Sequence, residues 1–407
     1  MQLSKKVLLA TCCSAVIWLL TTFSWGQVVA RHNAARFARW RAIPDDVGPV
    51  TPVSSPKWTL LFPRHIPDEH LANAAVYDTA TNQLIAFGGA SFSAVPNDVV
   101  SLSNANGIGT PDWTTVIPAG ANGSPSGRTF LTAVYDETNS RMIVFGGCAF
   151  TGDVCTTLND VWVLTNANGV SGTPTWIQLN PSGVPPAPRW GHAAAYDAVN
   201  NRMIVFGGDD LSVIFSDTWV LSHANGLGET PTWTQLSPTG GLPEGQDSAT
   251  VVYDAADNEL IAFGGTMQGF AVDSNSVWTL SNANGLSGAP VWKKIIANGA
   301  AGSPPKRDGH VAVYDSTNNR MVIFGGNANT ATGFPQHNDA WVLANANGLT
   351  GTPQWTKLPV LGPIPAGRTS PVGAYDTANN RLMIYSGASW DGEFFSSWVL
   401  TGANGLP

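Results

Sequence analysis

The sequence has little charge and few cysteines. Charged residues make up 12% of the 407 residues, and the formal net charge is −8. Nucleic-acid binding needs basic patches that meet phosphates, so this balance argues against a nucleic-acid partner. The four cysteines form no Cys-x-x-Cys pair and no Cys/His cluster. The common zinc and redox motifs are therefore excluded, and we expect neither a metal nor another cofactor.

Glycine, proline and tryptophan are abundant instead. The chain has 43 Gly, 28 Pro and 16 Trp, and 43% of its residues are hydrophobic. Such a turn-rich composition with little charge is typical of β architectures. The apolar content can bury a substantial core, which argues against disorder.

The N-terminal segment has the pattern of an export signal. Lys5 and Lys6 precede an apolar run over residues 7–23, and Ser24 and Gly26 place small residues before a cleavage site. We therefore predict a signal peptide over residues 1–26, a linker over 27–55, and a protein that is secreted, periplasmic or at the cell surface. The mature chain then has no membrane span.

An uncleaved anchor is the alternative. Residues 7–30 carry no charge, and this run is long enough to cross a bilayer. Four arginines follow it, however, and they oppose the orientation that the positive-inside rule favours.

Two cysteines, Cys148 and Cys155, lie beyond the predicted signal. In an oxidising compartment they are expected to form a disulfide that stiffens one loop. A metal pair or a redox thiol would need partners nearby, and the surrounding sequence offers none.

One phrase recurs six times along the chain. It consists of an apolar run ending in Tyr-Asp, a turn, and a second apolar run that ends in Phe-Gly-Gly in five copies and in Tyr385-Ser386-Gly387 in the sixth. Successive tyrosines are separated by 58, 61, 57, 61 and 61 residues. This period suits four short strands with their turns. The six pairs are Tyr77/Asp78, Tyr135/Asp136, Tyr196/Asp197, Tyr253/Asp254, Tyr314/Asp315 and Tyr375/Asp376.

Two further strands follow in each copy. The third strand carries Trp162, Trp219, Trp278, Trp341 and Trp398, with Val100 in the first copy, and the fourth carries Trp113, Trp176, Trp233, Trp292 and Trp355. The recurrent Asn-Ala-Asn-Gly between them predicts a hairpin turn, since Asn and Gly tolerate positive φ. The double glycine predicts a place where backbones approach closely.

The apolar run, the double glycine and the two spaced aromatics resemble kelch repeats, such as those of the central domain of galactose oxidase and of exported bacterial kelch proteins. The resemblance covers about residues 56 to 406. It implies an all-β fold, a six-bladed β-propeller of four-stranded antiparallel blades over residues 56–407. The family contains both enzymes and protein-binding modules, so it implies no single function.

The sixth copy lacks a fourth strand. The segment Pro56-Lys57-Trp58-Thr59-Leu60 matches the missing strand, as in Pro174-Thr175-Trp176. We therefore predict that this N-terminal strand completes the last blade and removes the exposed sheet edges.

The two faces of the ring differ. The turn between the first two strands has the same length in all six copies, and the turn between the last two is nearly constant. These turns form what we call the uniform face. The loops on the other side differ in length and form the variable face, to which we assign binding. There, Trp190 and Trp390 are predicted to stack on a ligand, unless they fill gaps between blades. Its other aromatics are Phe92, Phe150, Phe215, Phe270, Phe334, Phe394 and Phe395, and its acids are Asp153, Asp209, Asp210, Asp273, Asp391 and Glu393.

A polar residue lies seven positions before each tyrosine of the Tyr-Asp pairs. We predict that these residues ring the mouth of the central channel and bind a carboxylate, sulfate or phosphate. The alternative is a scaffold role that ties down a loop. The six residues are His70, Arg128, Arg189, Gln246, Arg307 and Arg368.

The function predicted from sequence is a monomeric, exported binding module for a glycan or protein partner. The alternative is a carbohydrate-active enzyme, a hydrolase or oxidase, at the channel mouth, with carboxylates drawn from Asp209, Asp210, Asp247 and Asp308. A copper radical oxidase would need a cysteine bonded to a tyrosine, and the two cysteines of one loop do not favour it. A purely structural surface protein is a third hypothesis.

The recurrent Tyr-Asp pairs and the turn asparagines (Asn82, Asn139, Asn201, Asn258, Asn319 and Asn380) are assigned to turn closure, with calcium binding as the alternative.

Overall fold

The computed structural model describes residues 55–406, apart from 68–69, 92–93, 153, 171, 244–245, 268–271, 331–332 and 389–394. The predicted signal peptide, and the linker up to residue 54, lie outside the described residues. Within these ranges, no helix is long and apolar enough to cross a membrane.

The chain forms six antiparallel sheets arranged as the blades of a propeller, which confirms the predicted fold. Each blade has four strands, called a to d from the centre outward, and the six a strands contact one another in a closed ring. The first strand of the chain, β1 (Lys57–Leu60), is strand d of blade 6.

The other strands follow in chain order. Blade 1 consists of β2 (Ala74–Asp78), β3 (Gln83–Phe87), β4 (Val99–Ser103) and β5 (Asp112–Ile117). Blade 2 consists of β6 (Thr132–Asp136), β7 (Arg141–Thr151), β8 (Val154–Thr165) and β9 (Thr175–Leu179). Blade 3 consists of β10 (Ala193–Asp197), β11 (Arg202–Phe206), β12 (Thr218–Ser222) and β13 (Thr232–Gln235). Blade 4 consists of β15 (Thr250–Asp254), β16 (Glu259–Phe263), β17 (Val277–Ser281) and β18 (Val291–Ile296), with the short β14 (Thr239–Gly240) parallel to β18. Blade 5 consists of β19 (Val311–Asp315), β20 (Arg320–Phe324), β21 (Ala340–Ala344) and β22 (Gln354–Lys357). Blade 6 consists of β23 (Val372–Asp376), β24 (Arg381–Tyr385), β25 (Ser397–Thr401) and β1.

The hydrophobic core lies between the blades. Strand b reads as a continuous apolar run because its sheet is covered on both faces by neighbouring blades, and β11 is buried from its second residue onward. One cluster packs Ile143 and Phe145 of blade 2 against Met203 and Val205 of blade 3. Every blade therefore depends on its neighbours for burial of its apolar surface.

The N-terminal strand closes the ring, as predicted. β1 pairs with β25 in antiparallel register, with Trp58 opposite Leu400. Trp58 is fully buried, and its ring packs edge-on against Phe324 of blade 5 at 4.9 Å. The last blade thus joins residues from both ends of the described chain.

The double glycine holds neighbouring blades together. The N–H of Gly265 in blade 4 donates to the carbonyl of Arg307 in the approach to blade 5, at 2.9 Å. A Cβ on Gly207 would lie 2.4 Å from the carbonyl oxygen of Gln246, and its φ of +67° is in the left-handed region. No side chain fits at such a position, which confirms the predicted close approach.

A second set of links lies on the uniform face. Each aspartate of the Tyr-Asp pairs accepts a hydrogen bond from an asparagine in the c–d turn of the next blade. The pairs are Asp78–Asn168, Asp136–Asn225, Asp197–Asn284, Asp254–Asn347, Asp315–Asn404 and Asp376–Asn106. These oxygens are used by turn and seam contacts, as the structural interpretation of the pairs predicts. In blade 2, the position equivalent to the turn asparagines is Ser140 rather than Asn139, and Asn139 binds Asp136.

Truncation of the closing strand should destabilise the whole ring. We expect Trp58→Ala to lower the free energy of unfolding by about 3 to 5 kcal/mol, because it removes a large buried side chain at the closure. Urea unfolding measures this change. Lys57→Ala, on the exposed side of the same strand, is the control. Equal effects of the two substitutions would contradict closure through Trp58.

Candidate functional site

A long hairpin stands out on the variable face. In blade 2, strands β7 and β8 continue past the double glycine and pair up to Thr151 and Val154. A disulfide joins Cys148 and Cys155, whose Cα atoms are 5.6 Å apart, and this confirms the predicted bridge. Both cysteines lie in paired strands rather than in an irregular loop, so the bridge reinforces a rigid projection.

The mouth of the channel is formed by a ring of backbone hydrogen bonds. One residue per blade takes part, and each has φ between 50° and 59°. At five of the six junctions, the N–H donates to the carbonyl of the equivalent residue in the preceding blade, from Phe130 to Ala72, Gly191 to Phe130, Ser248 to Gly191, Gly309 to Ser248 and Ser370 to Gly309. These bonds hold residues other than glycine in the left-handed region, where they are otherwise strained.

The six residues of the predicted polar ring lie two positions before this mouth, and all are buried. Arg189 donates to both carboxylate oxygens of Asp217, at 2.6 and 3.0 Å, and to the carbonyl of Gly207 at 2.9 Å. Arg128 holds Asp160 in the same way, and Arg307 holds Asp339. Each guanidinium therefore ties the ends of strands b and c of its own blade together.

The partners of this ring change together with its members. In blade 1, His70 binds Asp98 at 2.9 Å. In blade 6, Arg368 binds Ser396. In blade 4 the polar-ring residue is Gln246, and Ser276 occupies the position that an aspartate holds in the blades with Arg–Asp pairs.

Two of the arginine partners, Asp160 and Asp339, are held in the ionised form. Burial opposes ionisation of Asp160, but the hydrogen bonds and charge of Arg128 and the indole N–H of Trp162 hold its pKa below the ordinary value. Arg307 and the indole N–H of Trp341 hold the pKa of Asp339 below its ordinary value in the same way. These contacts correspond to the scaffold role that the sequence left open. Ligand binding by His70, Arg128, Arg189, Gln246, Arg307 and Arg368 remains a prediction that no contact here supports.

The aromatic platform also differs from the prediction. Trp190 is buried, and its ring meets Phe130 edge-on at 5.0 Å, so it does not present a flat exposed face to a sugar. Phe215 covers the Arg189 guanidinium at 4.3 Å. Trp390, Phe92, Phe270 and Phe394 lie outside the described residues.

Four buried aspartates meet on one side of the mouth, in blades 3 to 5. The first pair is Asp209, which follows the double glycine of blade 3, and Asp247, which follows Gln246. Their carboxyl groups share a hydrogen bond. One Asp247 oxygen lies 1.9 Å from where a Cβ of Gly191 would be, so only glycine leaves room for it. Burial and the charges of Asp209 and Asp308 raise the pKa of Asp247 well above its ordinary value.

The second pair is Asp273 and Asp308. The hydroxyl of Thr266 lies 3.0 Å from an oxygen of each, and the side-chain amide of Asn329 contacts both at 2.6 and 3.2 Å. A hydroxyl has only one hydrogen, so it can donate to only one of the two carboxylates. A proton on the second carboxyl lets that group donate to the hydroxyl oxygen in turn. Burial and the charge of Asp273 raise the pKa of Asp308 well above its ordinary value, which assigns the proton to Asp308.

Each pair is a proton-sharing carboxyl couple. A glycosidase needs its two carboxyl groups about 5 to 9.5 Å apart to admit the sugar or a water molecule, and these pairs are in direct contact. Asp210 uses its carboxylate to bind the backbone of Ser212 and Val213. Among the described residues, no group of three or more His, Cys, Asp or Glu side chains can hold a metal ion.

The sequence analysis named all four aspartates, three of them as candidate catalytic carboxylates, but not their pairing. The signal was present, because Asp247 and Asp308 occupy the same repeat position, one residue after the polar ring. Asp209 occupies the position after the double glycine. In blade 3 this position forms a backbone bridge with Trp190, the residue that follows the polar ring there. Comparison of copies at these two positions would have placed three of the four carboxyl groups, those of Asp209, Asp247 and Asp308, in adjacent blades.

Loss of an arginine from the polar ring should act on stability. We expect Arg189→Ala to cost about 3 kcal/mol, since it leaves Asp217 and the Gly207 carbonyl without their donor. Arg189→Lys should recover only part of the lost stability, because an ammonium cannot form the two parallel hydrogen bonds that the guanidinium makes with a carboxylate. Arg64→Ala, at an exposed arginine, is the control. An unchanged unfolding midpoint for Arg189→Ala would contradict the scaffold role of Arg189.

The carboxyl pairs should make the protein more stable in acid than at neutral pH. Their raised pKa values mean that the folded chain holds protons that the unfolded chain releases near pH 4. Stability is therefore greatest below about pH 4 for these groups and falls as the pH rises through the folded pKa values.

The double variant Asp247→Asn/Asp308→Asn should flatten that profile, because the side-chain amide donates a hydrogen bond but does not titrate. Urea unfolding at a series of pH values measures it, with Glu229→Gln at an exposed side chain as the control. Parallel profiles for the wild-type protein and the double variant would show that these pairs do not share protons.

The comparison with protein families agrees with the repeat structure. The family model described as the KLHDC2/KLHL20/DRC7 Kelch-repeats domain matches residues 50–253 and, again, residues 227–400. Together the two matches cover all six blades. A kelch propeller suggests a protein-interaction module. The chain therefore belongs to the Kelch-repeat family of β-propellers.

Proposed function

We propose that this propeller is an exported module that binds a protein partner on its variable face, against the hairpin of blade 2. The observation that carries the proposal is this hairpin. It extends β7 and β8 beyond the point where strands b and c of the other blades end, and a disulfide braces it. A rigid projection beside a variable surface is suited to binding because it loses little conformational freedom on association.

The surface around the hairpin is apolar and exposed. Val154 at the hairpin tip is 65% exposed, and Val184 in the following d–a connection is 76% exposed. The side chain of Asn159 donates to the carbonyl of Pro186, which joins the base of the hairpin to that connection. Val213 of the next b–c loop is also exposed. Exposed apolar groups on neighbouring loops are typical of protein-binding surfaces.

A protein partner fits this chemistry better than a glycan. Sugar platforms use aromatic faces that lie flat and open, whereas Trp190 is buried and the exposed groups near the hairpin are aliphatic. Aliphatic side chains gain by burial against apolar groups of a protein. The radial arrangement leaves only short outer strands as blade edges, which supports a monomer.

Export is supported by the disulfide. Disulfides persist in oxidising compartments and are rare in the cytosol. We therefore propose that residues 1–26 act as a signal peptide and that the protein is secreted, periplasmic or at the cell surface.

A displayed library of random peptides, screened in parallel with a glycan array, tests the proposed function. We expect peptide hits whose affinity falls about tenfold or more in the double variant Val154→Asp/Val184→Asp, because charges replace apolar contacts. The matched control is Leu286→Asp/Leu349→Asp, two equally exposed aliphatics in turns of the uniform face.

The contrary outcomes are distinct. Glycan hits that depend on Val154 and Val184 would replace the protein partner by a sugar. Peptide binding that the control weakens as much would move the site to the uniform face. Turnover of any hit in a product assay would favour the enzyme alternative.

A further inference from the structure

The sequence contains eight Asn-Gly dipeptides, in which the backbone nitrogen of the glycine can attack the asparagine side chain. Glycine has no Cβ to shield its nitrogen or to restrict rotation of the peptide. The attack requires a glycine N–H without a hydrogen bond and an amide that can turn toward it, so the contacts of each dipeptide decide its reactivity. The eight asparagines are Asn106, Asn122, Asn168, Asn225, Asn284, Asn298, Asn347 and Asn404.

Six of these dipeptides lie in the c–d turns of the uniform face. Their asparagines are buried, and each side-chain amide donates to an aspartate of the preceding blade. In every one, the glycine N–H donates to the carbonyl three positions earlier, as Gly107 does to Asn104 at 3.0 Å. Both the attacking nitrogen and the amide are therefore held in these turns.

The seventh dipeptide, Asn298-Gly299, lies in the d–a connection that follows blade 4. The N–H of Gly299 donates to Oδ1 of Asn275 at 2.7 Å, and Nδ2 of Asn275 donates to the carbonyl of Pro304 at 2.7 Å. Asn275 thus holds this loop at two points, one of which is the nitrogen of Gly299.

The equivalent connection after blade 1 is held in the same way but at a different glycine. Asn97 takes the place of Asn275, and it binds the N–H of Gly120 at 2.8 Å and the carbonyl of Pro125 at 2.9 Å. The eighth dipeptide, Asn122-Gly123, lies between these two points, so Asn97 does not hold its nitrogen.

Asn122 and Gly123 form the tip of an open turn. One hydrogen bond closes it, from the N–H of Ser124 to the carbonyl of Ala121 at 3.2 Å. Asn122 is exposed, and a Cβ on Gly123 would meet no atom within 4 Å. Among the residues that the structure describes, neither the N–H of Gly123 nor the side chain of Asn122 has a hydrogen-bond partner.

We propose that Asn122 is a covalent modification site, at which the fold permits deamidation while it restrains the other seven Asn-Gly dipeptides. The nitrogen of Gly123 loses its proton to hydroxide and bonds to Cγ of Asn122, and the bond from Cγ to Nδ2 breaks to release ammonia. Water then opens the resulting succinimide at either carbonyl. The products are aspartate and isoaspartate, and the overall reaction consumes water and releases ammonia. Either product adds a negative charge to the variable face.

Peptide mapping by mass spectrometry of the full chain, aged in heavy-oxygen water at neutral and at mildly alkaline pH, tests the proposal. Asn122 should react about threefold to tenfold faster than Asn298, because freeing the N–H of Gly299 costs a hydrogen bond. Its rate should rise with pH, since the attacking nitrogen must lose a proton. The six asparagines of the c–d turns should keep their amides, because their reaction requires local opening of a buried turn.

The same measurement in urea is the control for the role of the fold. Once the chain is unfolded, all eight dipeptides should react at similar rates. The proposal is overturned if Asn122 reacts no faster than Asn298 in the folded protein, or if the folded and unfolded proteins give the same pattern.

Three substitutions sharpen the test. Asn275→Ala frees the N–H of Gly299 and should raise the rate at Asn298 toward that at Asn122. Asn97→Ala removes the same two anchors from the other loop, and as the matched control it should leave Asn298 unchanged. Asn122→Ala copies Ala301, which occupies the equivalent position in the blade 4 loop, and should abolish the fastest phase of ammonia release.

Discussion

The hydrogen bond from the second glycine of one blade to a carbonyl of the next is the contact on which the rest of this structure depends. It brings the carbonyl of Arg307, for example, against the backbone of Gly265. That contact positions the peptide of the same residue, so its side chain reaches back to Gly325 and Asp339 within its own blade. The next residues then enter the mouth, where five backbone hydrogen bonds link the six blades in succession. One short segment thus provides the contact between blades, the side-chain links within a blade and the mouth of the channel.

The fold could be predicted because the copies repeat its physical requirements. Strand b must be apolar throughout because it is covered on both faces, and the double glycine must lack side chains, so both features are visible in the sequence. Trp58 could be assigned because it matched the strand that the sixth copy lacked. The extent of the blade 2 hairpin could not be read in this way. The spacing from the Phe that ends strand b to the Trp of strand c is 17 residues in both blades 2 and 5. Within the described residues, blade 2 continues both strands to the tip of the loop, whereas blade 5 has isolated bridges there.

The candidate site was harder to predict, because a position in a repeat does not give the direction of a side chain. Arg189 lies in the segment that leads into the innermost strand β10, and its guanidinium turns toward Asp217 rather than the channel. The partner lies 28 residues away in sequence, and only the packing of strands b and c brings the two together. Asp209 and Asp247 meet between blades, so their contact depends on how adjacent sheets are placed.

What repeats in this ring serves the scaffold, and the proposed binding surface lies at a departure from the repeat. The extended hairpin occurs in one blade.

A double-mutant cycle on Arg307 and Asp339 tests this division most directly, when unfolding and the affinity for a selected peptide are measured on the same four proteins. The account predicts a coupling free energy of about 1 to 3 kcal/mol in unfolding, with unchanged peptide affinity. Negligible coupling in unfolding, together with loss of peptide binding in the Arg307 variants, would contradict it and return the arginine to the binding site.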